Sequence, residues 1–171
     1  VNSDSLDPHW VRNWTVDITA HLRSVLSVFD GDDPYPPGRN EIVLTGSDQR
    51  DFEAMRVHSA IPQDLITFYS VTNEVVMSAF ANAFFINPPS HVIRQFSEEP
   101  VVLADGNLGT IFAGNGGGIL YAMGSDNKVY RSHTAALNGG FTPIATGLRD
   151  FLEQLRDAVA LYALVQDPGR W

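Results

Sequence analysis

Val11, Trp14, Ile18, Leu22, Val25 and Phe29 recur at steps of three and four residues, which places them on one face of a helix. Asp7-Pro8 opens that helix as an N-cap followed by proline at the first helical position, and Gly31 is expected to close it. The turn-rich stretch Asp30 to Gly38 reads as a loop. Ile42-Val43-Leu44 predicts a short strand, and Ser47 predicts the N-cap of a helix through about Val57 with Phe52 and Met55 inward. Ile61-Pro62 starts the next helix with proline in its first turn. That helix should bury Leu65, Phe68 and Tyr69 and end at Asn73.

From Val75 the period shortens to two. Val76, Ser78 and Phe80 alternate with Met77 and Ala79, and Phe84-Phe85-Ile86 follows, so the segment is two strands or one bent strand, stopped by Pro88-Pro89. Ser90 to Phe96 predicts a short helix carrying Val92, Ile93 and Phe96. Four apolar runs come next: Val101–Leu103, Thr110–Ala113, Ile119–Met123 and Lys128–Tyr130. The Gly/Asn/Asp turns between them indicate an antiparallel meander across residues 108–132. Asn138-Gly139-Gly140 is a loop. Thr146 then caps a final helix with Leu148, Phe151, Leu152, Leu155, Val159 and Tyr162 on one face. Helices at both chain ends around a mostly antiparallel sheet make the expected class α+β, in a single domain over 1–171.

Composition narrows the function classes. The chain has 44% hydrophobic and 18% charged residues, an ordinary globular balance, and no cysteine, which removes disulfides and thiolate metal sites. No apolar run approaches the roughly 20 residues of a membrane-spanning helix, and Val1 to Asp7 has no signal-peptide pattern, so a cytoplasmic protein is expected. Twenty acidic against eleven basic residues give a net charge of −9. That field repels a phosphate backbone, which argues against nucleic acid, and it speeds encounter with a basic protein.

Candidate chemistry is sparse. Asp30, Asp32 and Asp33 invite a calcium reading, but an EF-hand count from Asp30 puts Tyr35 at the glycine position and matches only at Glu41, so a solvated loop is expected. Gly114-Asn115-Gly116-Gly117-Gly118 lacks the spacing of a dinucleotide fingerprint and the lysine of a P-loop. A strand follows it, so positive-φ turn glycines are expected and no cofactor. His9, His21, His58, His91 and His133 are scattered with no metal-binding spacing, so no metal is expected. No GxSxG elbow occurs, and Asp51 and Glu53 point in different directions on a helix. Trp10, Trp14, Phe84 and Phe85 read as core, except that strand alternation sends the two phenylalanines to opposite faces of the sheet.

Three blocks then stand in a recognisable order. Ile61-Pro62-Gln63-Asp64-Leu65 through Phe68-Tyr69 to Asn73 resembles the proline-started helix, aromatic pair and turn of the SUKH superfamily. Asn82-Ala83-Phe84-Phe85-Ile86-Asn87-Pro88 resembles the strand that follows in bacterial members. Phe112 through Gly116-Gly117-Gly118, Ile119–Met123, Val129-Tyr130 and Ile144-Ala145 into Phe151-Leu152 is similar to the closing half. The motif-bearing core is about 47–156, and Glu74 and Ala83 stand where the family usually has glycine. The resemblance implies an immunity protein: a non-catalytic domain that binds and neutralises a polymorphic toxin. The alternative is a small hydrolase or ligand-binding enzyme, marked by a pocket of acid/base groups with displaced pKa values.

For a protein partner, expected to be a basic toxin domain, Asp105, Asn107, Asn115 and Asp126 are the candidate contacts because they sit in meander turns. Alternate turns of a meander emerge at the same end. Asp105 and Asn107 should therefore share an end with Asp126, and Asn115 should lie at the other.

Overall fold

A computed structural model describes residues 5–29, 34, 37–47 and 49–170. Most of the loop expected at 30–38, with its aspartates and Gly31, lies outside the described residues, as do residues 1–4.

The first helix, α1 (Pro8–Leu26), starts as its sequence dictates. The Asp7 carboxylate accepts from the N–H groups of His9 and Trp10 at 2.9 and 3.0 Å, with Pro8 behind it. It ends earlier than Gly31. Ser27 donates its hydroxyl to the Ser24 carbonyl at 2.7 Å, and Val28 and Phe29 bond three residues back, tightening the last turn.

Strand β1 (Asn40–Leu44) leads to α2 (Arg50–Arg56). Ser47 is not its cap. Gln49 holds that place without a side-chain bond, and Asp51 and Glu53 complement the dipole in the first turn. Helix α3 (Gln63–Tyr69) buries Leu65, Phe68 and Tyr69 as expected but stops at Ser70, whose hydroxyl bonds the Thr67 carbonyl. The β-branched pair Val71-Thr72 then starts β2 (Thr72–Met77). Asn73 and Glu74 are therefore strand residues, and the turn expected there does not form. Glu74 pairs with Val43 across the ladder and bonds Arg39 at 2.8 Å.

Two strands, not one bent strand, follow one another, since β3 (Phe84–Ile86) folds back on β2. Helix α4 (Pro89–Glu98), β4 (Val101–Val102), β5 (Leu108–Asn115), β6 (Leu120–Gly124) and β7 (Val129–Ser132) come next. The meander of 108–132 is present, and it continues into β8 (Phe141–Ala145), a strand between the 138–140 loop and the last helix that the sequence pattern does not predict. Pro143 hid that strand, and it is tolerated because β8 lies at the sheet's edge. The last helix, α5 (Leu148–Val165), has Gly147 as its N-cap. Thr146 instead donates its N–H and hydroxyl to Asp150 at 2.8 and 2.9 Å.

All pairings are antiparallel, in the order β1-β2-β3-β5-β6-β7-β8 with β4 on the flank of β5. Together with α1 and α5 at the two ends this is an α+β fold. One sheet face carries the main core, built with the helices around Trp14, Phe68, Phe84, Phe112 and Phe151. The other face carries a smaller cluster of Val101, Leu103, Ile111, Ala122, Tyr130 and Phe141. Among the described residues no helix is long and apolar enough to cross a membrane.

Candidate protein-binding surface

The β4–β5 hairpin is closed by two backbone bonds of 2.9 Å, Leu103 N–H to Asn107 carbonyl and Gly106 N–H to Leu103 carbonyl, with Gly106 at φ +83°. Asp105 accepts from the backbone and side-chain amides of Asn107, both at 2.9 Å. Those bonds to its charged form hold the Asp105 carboxyl below the usual aspartate value, with help from the Lys128 charge. Leu103 folds back over the sheet so closely that a Cβ on Gly109 or Gly124 would meet its methyls at 2.7 and 2.9 Å. Glycine at these two positions is what lets the hairpin lie flat on β5 and β6.

The β6–β7 turn lies beside it. Asn127 takes φ +64°, and Gly124 and Lys128 close the turn through a 3.0 Å bond. Asp126 accepts from the Lys128 N–H at 3.1 Å, pairs with the Lys128 ammonium at 3.2 Å and accepts from the Tyr130 hydroxyl at 3.0 Å. Burial pushes the Tyr130 phenol up to about 12, and the carboxylates of Asp126 and Asp105 add to the shift.

Asp105, Asn107 and Asp126 thus stand at one end of the sheet, within one electrostatic neighbourhood that includes Lys128. Asn115 lies at the other end. Its side-chain carbonyl accepts from the N–H groups of Gly117 and Ile119, both at 3.0 Å, so it shapes a different turn. The sequence reading missed Lys128 and Tyr130. The Asp-x-Lys-x-Tyr spacing after a hairpin glycine was their available signal.

At the Asn115 end the glycine loop is packed against the β2–β3 turn. The Gly116 N–H donates to the Asn82 carbonyl at 2.8 Å, between Ala81 and Ala83 at φ +47° and +60°. Ala83 is thus in the left-handed region that glycine takes without cost. Of Gly116, Gly117 and Gly118 only Gly118 has positive φ. Gly116 is required for a different reason: a Cβ there would strike the Asn82 carbonyl, whereas one on Gly117 would meet only side-chain ends, the Asn82 amide nitrogen at 2.9 Å and Asn115 Oδ1 at 3.3 Å. Gly116→Ala is therefore expected to cost roughly 1–3 kcal/mol in thermal unfolding and Gly117→Ala markedly less. Equal losses would contradict this packing.

A cleft of about 380 Å³ opens between the start of α3 and the β6–β7 turn, with Arg56, His58, Gln63, Ser125 and Asn127 on its walls. The His58 ring stands edge-on to Phe96 at 5.3 Å, and its Nδ1 is buried with no hydrogen-bond partner among the described residues. Glu53 pairs with Arg56 at 2.8 Å. Asp64, raised by desolvation, accepts from the Leu6 N–H. Asp150, lowered by Gln154 and Thr146, belongs to the start of α5. Among the described residues no three His, Asp or Glu are grouped to hold a metal. Phe84 is buried in the main core. Phe85 points to the opposite face, half-buried beside Val76.

No protein-family model matches the chain, and no curated protein matches it. The SUKH resemblance accordingly rests on the ordered motifs of the sequence.

Proposed function

We propose that this chain is a non-catalytic protein-binding domain, an immunity protein of SUKH type that sequesters a basic toxin domain in the cytoplasm. One observation carries the binding reading: two acidic turns separated by strands β5 and β6 are brought to the same end of the sheet. Asp105, Asn107 and Asp126 meet there in a protein of net charge −9. The oxygens that shape the turns have lone pairs left for a partner's cations. Charges fixed in hairpin turns are also pre-organised, so little side-chain freedom is lost on binding.

The test asks first whether the gene immediately upstream encodes a large protein with a variable C-terminal domain, and then measures neutralisation in cells that express that domain. Sequestration predicts that growth is restored only when this chain is at least equimolar with the toxin, and that the two purify as a complex. Protection at a small fraction of the toxin's amount would instead mark turnover and favour an enzyme, with the cleft at His58 as the place to look. Absence of both protection and complex would refute the immunity reading.

A further inference from the structure

The β4–β5 hairpin has two unlike faces. Val101 and Leu103 point into the smaller core and are almost wholly buried. By strand alternation Val102 and Leu108 point the other way. They are directly opposed across the ladder, yet 61% and 51% of their surfaces are exposed. Isolated exposed apolar residues are ordinary, but here two branched side chains stand together on a bare hairpin face. Acidic residues flank strand β4 in sequence on both sides. Glu98 and Glu99 are exposed just before the hairpin, Asp105 lies in its turn, and Asp126 shares the electrostatic neighbourhood of Asp105.

We infer that Val102 and Leu108 form the apolar anchor of the partner site, and that the partner presents an apolar side chain flanked by lysine or arginine. The inference rests on the protein-binding reading and adds the chemistry of the bound segment. Charge selects this occupant over others. A second copy of the chain would bring the same acids against these, and an anionic lipid surface would be repelled by them. The two kinds of residue have separate tasks. Exposed carboxylates steer the approach, whereas an apolar pair that becomes desolvated in the complex determines how long the partner stays.

The experiment measures association and dissociation rates with the purified domain encoded upstream as probe. The variants are Val102→Thr and Leu108→Thr, singly and together, with Leu44→Thr as the control. Leu44 is equally exposed, at 58%, but lies on β1 at the sheet's edge. Threonine suits a strand, and both positions are exposed, so thermal unfolding should not change. The expected result is an unchanged association rate with dissociation at least about tenfold faster in the double variant and unchanged in the control. Wild-type dissociation in the double variant overturns the anchor while leaving the protein-binding reading standing. An equal effect in the control overturns it too, as does a dimer of the free protein that the double variant dissolves. Failure of the wild-type chain to bind the probe removes the underlying reading itself.

Discussion

Replacing Phe151 with alanine is expected to cost about 3–5 kcal/mol, read as a fall in the urea midpoint. The ring is fully buried, and three aromatic neighbours hold its site open from different strands. Phe84 of β3 lies 6.3 Å away between ring centroids, Phe112 of β5 stands edge-on at 5.6 Å, and Tyr121 of β6 lies at 5.4 Å. Those strands are fixed by their ladders, so the space left by the ring cannot close by a small shift of one neighbour. Part of the cost is therefore the cavity and part the lost transfer energy. Against a typical total of about 5–15 kcal/mol, such a loss removes a large share of the domain's stability. A loss below about 1 kcal/mol would mean that α5 is peripheral, contrary to the architecture described.

Trp14→Ala is expected to cost about as much, roughly 3–5 kcal/mol by the same measurement. Trp14 joins three helices. It projects from α1, donates its indole N–H to the Leu152 carbonyl of α5 at 2.8 Å and meets Phe68 of α3 edge-on at 5.9 Å. Trp14→Phe separates the terms, since it keeps most of the apolar contact and removes the hydrogen bond. Its expected loss is about 1–3 kcal/mol, clearly below that of alanine. Equal losses in the two variants would place the stabilisation in the hydrogen bond and not in packing.

The elements legible in the sequence were those in which one local signal dominates. Asp7-Pro8 and the stripe Val11, Trp14, Ile18, Leu22 and Val25 read correctly as a capped amphipathic helix, with Phe29 falling beyond its end, and the face of α5 is correct through Leu148, Phe151, Leu152 and Leu155. Boundaries failed where tertiary contacts competed with local preference. Asn73 looks like a helix stop, but Val71 and Thr72 had already turned the chain into a strand that pairs with β1. Strand β8 was hidden by Pro143, which is permitted only because nothing pairs beyond it in the strand order.

For the candidate surface, the parity of meander turns sufficed to place Asp105 and Asn107 with Asp126 and apart from Asn115. The sidedness of β4 was not legible, because a strand of two residues carries no period. That Leu103 requires glycine at 124 as well as at 109 depends on a contact with a strand some way along the chain. The bond from Tyr130 to Asp126 is local, four residues apart, and it makes Asp126 structural as well as exposed. Any variant that removes its charge should therefore keep an acceptor, as Asn does.

The most direct test of the account is the rate at which this chain associates with the upstream-encoded domain, followed as salt is raised. Screening shortens the reach of exposed charges from about 10 Å at 0.1 M to about 3 Å at 1 M. The account predicts a rate that falls steeply with salt for the wild-type chain. The Asp105→Asn/Asp126→Asn double variant should be slower at low salt and converge with wild type at high salt. A wild-type rate indifferent to salt, or a double variant that follows the wild-type curve throughout, would contradict it.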